Sequence, residues 1–196
     1  MAKIKVHTDA KQDNIYFDAT SGWVANGHWA IKRNRFLTTF KMTAKHQSLI
    51  EANTSFSYSG FNKHLLTGDD CDLPNIERVT KDNTPHTLEP TDISVDSCDL
   101  YKVVDRESLE DAFPFAFVAS HYSDILLAFP KVKIAEPAKH TDFGSKLFTG
   151  LIKCYNSVDA EEDDYDAVLM PALPDLSAFD QLKDLSDLIS VWKANL

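Results

Sequence analysis

The chain has few cysteines and no long apolar run, and both absences exclude classes of protein. Its cysteines, Cys71, Cys98 and Cys154, are odd in number, widely spaced and never part of a Cys-x-x-Cys pair. This usage indicates neither a disulfide framework nor a zinc knuckle and favours a reducing compartment. No apolar run approaches the ~18 residues of a membrane span, and residues 1–5 lack the apolar core of a secretory signal. The sequence therefore predicts a cytoplasmic protein, in the host cell if it is viral, with no membrane partner.

Recognised catalytic motifs are also missing. The sequence has no Gly-x-Ser-x-Gly elbow, P-loop, His-Glu-x-x-His pair or dinucleotide fingerprint. Cys154 falls within a predicted strand with no histidine nearby in the sequence, so a nucleophilic role is not expected. The acidic runs at 69–72 and 161–164 lack the spacing of a calcium loop and are interpreted as solvated loops. We expect a non-enzymatic protein with no catalytic residue, metal or cofactor; an enzyme with dispersed catalytic residues is one alternative.

Basic residues are scarce overall but concentrated near the start of the chain. The formal net charge is −10, yet residues 1–50 hold eight Lys and Arg against three Asp and Glu. A protein that coats DNA is usually basic overall, so that class is disfavoured. The densest basic cluster either faces DNA or forms an ordinary charged strand edge. It consists of Lys32, Arg33, Arg35, Lys41 and Lys45.

Apolar residues are plentiful enough for a core, and their spacing predicts short strands in the first part of the chain. The hydrophobic fraction is 43%, with twelve Phe. Strands are predicted over 3–7, 14–18, 22–25 and 28–32, and Asn26-Gly27 between the last two is a strong hairpin signal.

The next stretch is harder to read from its pattern. Residues 35–40 suit either a strand or the start of a helix, and 43–51 suit a helix with Thr43 as its cap. Residues 52–92 are rich in Asn, Ser, Thr, Asp and Pro, which predicts a long irregular connection with one or two short elements.

A sharper pattern follows from residue 93 onward. Residues 99–104 suit a strand, and 115–172 read as strand, helix, strand, strand, strand, with Ser120 as the candidate helix cap. Residues 174–196 carry apolar residues three and four apart, as in an amphipathic helix. We therefore predict an α+β fold in three parts, at 1–92, 93–173 and 174–196.

Two segments far apart in the chain carry a resemblance to a known family. They are Asn26-Gly27-His28-Trp29-Ala30-Ile31 and Ala167-Val168-Leu169-Met170-Pro171-Ala172-Leu173. Together they resemble the two halves of the peptide-binding cleft of bacterial sliding clamps, the DNA polymerase III beta subunits that tether polymerases to DNA. The strand and helix order before Pro171 is also similar to the repeating domain of that family.

The second segment matches the family in part. The last strand of a clamp ends in a Val-Met-Pro-Met-Arg-type sequence. Val168, Met170 and Pro171 match that sequence, whereas Ala172 and Leu173 replace the Met and Arg.

The first segment also matches in part. The corresponding clamp turn is of the Thr-Asp-Gly-His-Arg-Leu type, which Gly27 and His28 match, while Trp29 and Ala30 stand in place of Arg and Leu. The chain is much shorter than a three-domain bacterial clamp, so it resembles a compact, divergent clamp-like protein of the kind that phages carry.

The resemblance implies a fold, a function and partners. The fold would have clamp-like antiparallel sheets with few packed helices, plus the C-terminal helix. The function would be non-enzymatic binding of replication proteins through a peptide cleft, as a processivity factor or a decoy. DNA polymerase or other clamp-binding replication proteins would be the partners, with double-stranded DNA and further copies of the chain as additional candidates. The cleft would be lined by Gly27, His28, Trp29, Ala30, Val168, Met170, Pro171 and Leu173.

The acidic composition leaves a second function open. Outside residues 1–50, acidic residues outnumber basic ones twenty-seven to twelve. Such a surface suits a phage accessory or counter-defence protein that acts by nucleic-acid mimicry or protein binding.

Overall fold

A computed structural model of the protein describes residues 3–6, 14–71, 73–81, 83–95, 97–104, 115–135 and 150–172. The strands are β1 (Ile4–Lys5), β2 (Asn14–Asp18), β3 (Trp23–Ala25), β4 (Trp29–Lys32), β5 (Phe40–Lys41), β6 (Phe56–Ser59), β7 (His64–Thr67), β8 (His86–Val95), β9 (Cys98–Val103), β10 (Phe115–Ala119), β11 (Lys131–Ile134), β12 (Ile152–Tyr155) and β13 (Tyr165–Leu169). The α-helices are α1 (Arg33–Thr39), α2 (Ala44–Glu51), α3 (Ile76–Val79) and α4 (Ser120–Leu127), with a 3₁₀ turn at Gly68–Asp70.

Eleven of the strands form one antiparallel sheet. Its order is β10–β9–β8–β11–β12–β13–β4–β3–β2–β6–β7, and β1 pairs separately with β5 in parallel. The fold is therefore α+β, as predicted. At the junction of β13 with β4, the last described strand of the chain joins a hairpin from its beginning.

The strongest local patterns are confirmed. Strand β2 has the predicted bounds, and β3 and β4 pair across the Asn26-Gly27 turn. The order predicted for 115–172 is the observed order β10, α4, β11, β12, β13. Residues 35–40 resolve mainly into α1, with β5 at their end.

The prediction of an irregular connection over 52–92 was wrong in its extent. Strand β6 pairs with β2, β7 pairs with β6, and β8 pairs with β9 and β11, so much of this stretch belongs to the sheet. Short strands rich in Ser and His were masked by their polar composition. The sheet continues through the junction of the first two predicted parts, whose boundary at residue 92 stays a prediction. The helix predicted for 174–196 lies outside the described residues.

The predicted helix caps are also corrected. Thr43 occupies the N-cap position of α2 but its side chain makes no capping hydrogen bond. Ser120 is the first residue of α4, and its hydroxyl donates instead to the Asp99 carboxylate at 2.6 Å. A longer-range partner has therefore replaced the local cap that the pattern suggested.

One face of the sheet covers the main core, which is rich in stacked aromatic rings. Phe36 on α1 lies between Trp29 of β4 and Phe40 of β5, with ring centroids 6.4 and 6.2 Å away. The Phe40 ring in turn lies 6.3 Å from Phe129, and the Arg35 guanidinium covers that ring at 4.9 Å. These contacts fix α1 against the middle of the sheet.

The opposite face of the sheet carries a smaller apolar cluster. Its buried members are Trp23, Ala25, Ala30, Leu151 and Val168. Ile76 of α3 and Tyr165 of β13 pack against it, so the segment around α3 covers this face. The central strands are therefore buried on both sides, although the sheet is antiparallel.

Among the described residues, no helix combines the length and the apolar character that crossing a membrane requires.

Candidate peptide-binding surface

The two segments that resemble a clamp cleft meet in the structure. Strand β13 pairs with β4 in the register Ala167–Ile31, Val168–Ala30 and Leu169–Trp29. One residue beyond the ladder, the Met170 backbone N–H donates to the His28 carbonyl oxygen at 2.8 Å. We call the surface formed by Gly27, His28, Met170 and Pro171 the His28–Met170 surface.

Asn26 shapes the turn that presents His28. Its side-chain oxygen accepts hydrogen bonds from the backbone N–H groups of His28 and Trp29, both at 3.0 Å. Gly27 then adopts a φ of +88°, the left-handed region that glycine tolerates best. The Asn26 amide nitrogen lies 3.2 Å from the Tyr122 hydroxyl, to which it donates. Sequence reasoning recognised the hairpin but not this role of Asn26, which asparagine's preference for such turns could have indicated.

Tyr122 of α4 lies beside the His28–Met170 surface. Its ring centroid is 5.9 Å from that of His28 and 4.0 Å from that of His121, and its side chain is buried. Helix α4 thereby supplies an aromatic support behind the exposed His28 imidazole. No local sequence pattern indicates that the Tyr122 side of α4 meets the turn at His28.

Asp99 on β9 anchors the start of α4. Its carboxylate accepts hydrogen bonds from the hydroxyls of Ser94, Ser120 and Ser123. Burial alone would raise the pKa of Asp99, but these hydroxyl donors lower it, led by Ser120. The anchor fixes α4, and so Tyr122, relative to the sheet.

The predicted cleft residues divide into surface and interior sets. Gly27, His28 and Met170 are exposed, Met170 by 49%, and Pro171 is half-buried. Trp29, Ala30 and Val168 are buried, and Leu173 lies outside the described residues.

The burial of Trp29 corrects its predicted place in the lining of the cleft. Neighbouring strand residues point to opposite faces. Trp29 therefore enters the main core, while Ala30 and Val168 enter the smaller cluster. These three residues hold the strands in place beneath the surface, and a ligand would not contact them directly.

The side chains of the predicted basic cluster make different contacts. Arg33 donates from its guanidinium to the carbonyls of Ile50 and Glu51, at 2.9 and 3.0 Å. Arg35 donates to the Ala128 carbonyl at 2.7 Å. These two arginines tie α1 to neighbouring segments of the same chain, and their role as DNA-facing residues stays a prediction.

The three lysines of the cluster lie apart from that arrangement. Lys32 lies on the smaller-cluster face, with its ammonium 3.9 Å from the Asp166 carboxylate. Lys41 and Lys45 are exposed. Unlike the two arginines, these three lysines make no hydrogen bond to a backbone carbonyl among the described residues.

Cys154 is fully buried, and burial strongly raises the pKa of its thiol, which disfavours the reactive thiolate. Among the described residues, no three His, Cys, Asp or Glu side chains lie close enough together to hold a metal ion.

Comparison of the chain with family models, curated proteins and solved structures found no match. The resemblance to sliding clamps therefore depends on the residues of the two segments and on the order of the elements around them.

Proposed function

We propose that the protein is a non-enzymatic, sliding-clamp-like protein that binds replication proteins through a short peptide at the His28–Met170 surface. The observation that carries the proposal is the hydrogen bond from Met170 to His28, which joins the two cleft-like segments into one surface. We place this activity in the cytoplasm, in the host cell if the protein comes from a phage.

The chemistry of the surface suits an apolar peptide side chain. Met170 is half-exposed, and its flexible, polarizable thioether can adapt to different partners. His28 adds a polar group beside it, backed by Tyr122. Both residues lie directly next to paired strands, His28 before β4 and Met170 after β13, and sites beside such rigid elements are held in place better than sites on free loops.

The charge distribution favours partner binding over stable encirclement of DNA. Arg33 and Arg35, from the densest basic cluster, already serve backbone carbonyls of their own chain. The remainder of the protein is strongly acidic. A protein that competes for clamp-binding partners needs no positively charged inner surface, whereas a ring around DNA does.

Substitutions on the surface should weaken binding of a Gln-Leu-x-Leu-Phe peptide, the class of ligand that clamps bind. We expect Met170→Ala to reduce the affinity about tenfold, as for a contact residue in the centre of an interface. His28→Ala should reduce it by a smaller factor. Fluorescence anisotropy with a labelled peptide measures both effects.

Val158→Ala is the matched control for this experiment. Val158 is also an exposed apolar residue, 65% accessible, but lies in the acidic loop after β12. Its substitution should leave the affinity unchanged. Equal effects of Val158→Ala and Met170→Ala, or no peptide binding at all, would contradict the proposed surface.

The acidic loop supports the alternative function of nucleic-acid mimicry. Asp159, Glu161, Asp163 and Asp164 are all exposed on this one loop. A charge mimic would bind a basic protein with an affinity that falls steeply with salt. That binding would be insensitive to Met170→Ala, which separates it from peptide recognition.

Oligomeric state distinguishes the two forms of the proposal. A molar mass of several copies, measured by light scattering, would fit a closed ring and favour a processivity factor. A monomer would favour a decoy that occupies clamp-binding partners.

A further inference from the structure

A cavity of about 280 Å³ opens where β2, β6 and β7 form one end of the large sheet. The neighbouring residues Ile15, Phe17 and Phe56 enter the main core, so the cavity lies on the opposite face of these strands. Its volume is slightly below the range of about 300–1,000 Å³ that is typical of drug-sized ligands, which suits a smaller ligand. The cavity shares no residue with the His28–Met170 surface.

Cross-strand pairing arranges six of the lining residues in two rows, each with one residue from every strand. The rows are Asn14–Ser59–His64 and Tyr16–Ser57–Leu66. Neighbouring strands lie about 4.8 Å apart, and residues two apart on a strand about 7 Å apart. The rows therefore cover an area of about 10 Å by 7 Å, which is large enough for a small sugar.

Most polar side chains of the two rows are not used by the fold. Within the described part of the chain, four of them make no hydrogen bond, ion pair or ring contact: Asn14, Tyr16, Ser57 and His64. The Ser59 hydroxyl accepts only a long hydrogen bond, 3.4 Å, from a backbone N–H of the β6–β7 turn. Asn14 and His64 are exposed, and Tyr16 and Ser57 are half-buried. Their amide, hydroxyl and imidazole groups are therefore available to a ligand.

The cavity is uncharged in a protein rich in charged residues. Asp, Glu, Lys and Arg make up 26% of the chain, but none of them lines the cavity among the described residues. Edge strands usually carry charged side chains that prevent pairing with other chains, whereas the edge strand β7 has the sequence His-Leu-Leu-Thr. A charged ligand would find no opposite charge here, so the lining favours a neutral ligand rich in hydroxyl groups.

We propose that this cavity binds a neutral carbohydrate. The Tyr16 ring would pack against C–H groups of the sugar, because the face of an aromatic ring is electron-rich and attracts their slightly positive hydrogens. Asn14, Ser57 and His64 would exchange hydrogen bonds with the sugar hydroxyls, which both donate and accept. The same chemistry fits a free sugar and one unit of a longer glycan. The proposal does not depend on peptide binding at the His28–Met170 surface.

A glycan array tests the site with the full chain. The array displays neutral oligosaccharides of hexoses and N-acetylhexosamines, together with the same oligosaccharides capped by sialic acid. We expect binding to neutral members and no gain from the anionic cap. In calorimetric titration with the best-bound neutral member, Asn14→Ala should weaken binding about fivefold, the factor expected for one neutral hydrogen bond.

Asn34→Ala is the matched control, because Asn34 is also an exposed asparagine but lies on α1, which packs on the other face of the sheet. It should leave the affinity unchanged. At Tyr16, the change to Phe should weaken binding less than the change to Leu, since only Phe keeps an aromatic face for the sugar.

Competition by a free monosaccharide distinguishes the two sources of the ligand. Equal affinity for the monosaccharide and the oligosaccharide would assign the site to a free sugar, whereas tighter binding of the oligosaccharide would assign it to a glycan chain. Absence of binding to every neutral member, a preference for sialylated members, or equal losses in Asn14→Ala and Asn34→Ala would overturn the proposal. Dimer formation that Asn14→Ala abolishes, without glycan binding, would overturn it too and assign this face to a second copy of the chain.

Discussion

Phe36→Ala should lower the free energy of unfolding by about 4 kcal/mol, in the range measured for large aromatic residues replaced in a core. The Phe36 side chain is fully buried and stacks with both Trp29 and Phe40. Its removal leaves a cavity between α1 and the centre of the sheet, where the surrounding rings can collapse only in part. Chemical denaturation of the variant and the unmodified protein measures the difference.

Phe61→Ala provides the matched control. Phe61 is 84% exposed in the turn between β6 and β7, so the same change there should cost less than about 0.5 kcal/mol. Similar losses for the two variants would show that the stacked rings around Phe36 do not stabilise the fold. Because Trp29 packs on Phe36, we also expect weaker peptide binding to accompany the loss of stability in Phe36→Ala.

Glu162→Ala should have the second-largest effect, a loss of about 2 kcal/mol. The Glu162 carboxylate accepts a hydrogen bond from the Thr84 backbone N–H at 2.9 Å and lies 3.5 Å from the Lys153 ammonium. The substitution leaves the N–H and the ammonium without this acceptor, and Thr84 and Lys153 are both buried. Glu162 itself is 39% exposed, and solvent screening keeps the figure below that of a fully buried ion pair. Glu161→Ala is the control. The Glu161 carboxylate, next to Glu162 in the sequence, is exposed and should contribute little to the free energy of unfolding.

The same carboxylate should make stability depend on pH. Burial alone would raise the pKa of Glu162, but the hydrogen bonds from Thr84 and the charge of Lys153 lower it below the ordinary value of 4.5. Its contribution is therefore fully present above pH 4.5 and is lost as the pH falls through the lower pKa of the folded state. Denaturation curves at decreasing pH should show a smaller acid-induced loss in Glu162→Gln than in the unmodified protein. Parallel losses in both proteins would contradict a role for Glu162, since Asp18 and Asp99 also have lowered pKa values.

Local patterns were sufficient to predict much of the fold. Strand β2, the Asn26-Gly27 hairpin and the element order after residue 115 all follow from turn residues and from apolar periodicity within a few residues. Such signals depend only on residues that are close in the sequence, so they can be recognised before the tertiary structure is known.

The burial of the central strands was not predictable in this way. The resemblance places Trp29 in the lining of the cleft, but strand β4 is covered on one face by α1 and on the other by the segment around α3. Lys153 is 2% exposed because Glu162 and the Tyr165 ring, 4.8 Å from its ammonium, surround it. A lysine in an alternating pattern ordinarily indicates a solvated face, and only tertiary contacts reverse that reading.

The sequence was sufficient to name residues of the candidate site, but not to predict the contacts that position them. The resemblance named His28 and Met170, which the structure places side by side through a backbone hydrogen bond. It did not indicate Asn26 or Tyr122, which position His28 through contacts between distant segments. The guanidinium groups of Arg33 and Arg35 likewise find backbone acceptors that no linear pattern reveals.

The junction of β4 with β13 also has a consequence for how the protein is made. The hairpin that ends in β4 at Lys32 leaves the ribosome well before its partner β13, which begins at Tyr165. Until then β4 keeps an open edge, which could pair with another chain. Pairing between such distant segments closes a long loop, and a topology of this kind folds slowly. A nascent chain that stops before residue 165 would therefore lack the His28–Met170 surface. It would instead expose the unpaired edge of β4, which can form a strand pair with another chain.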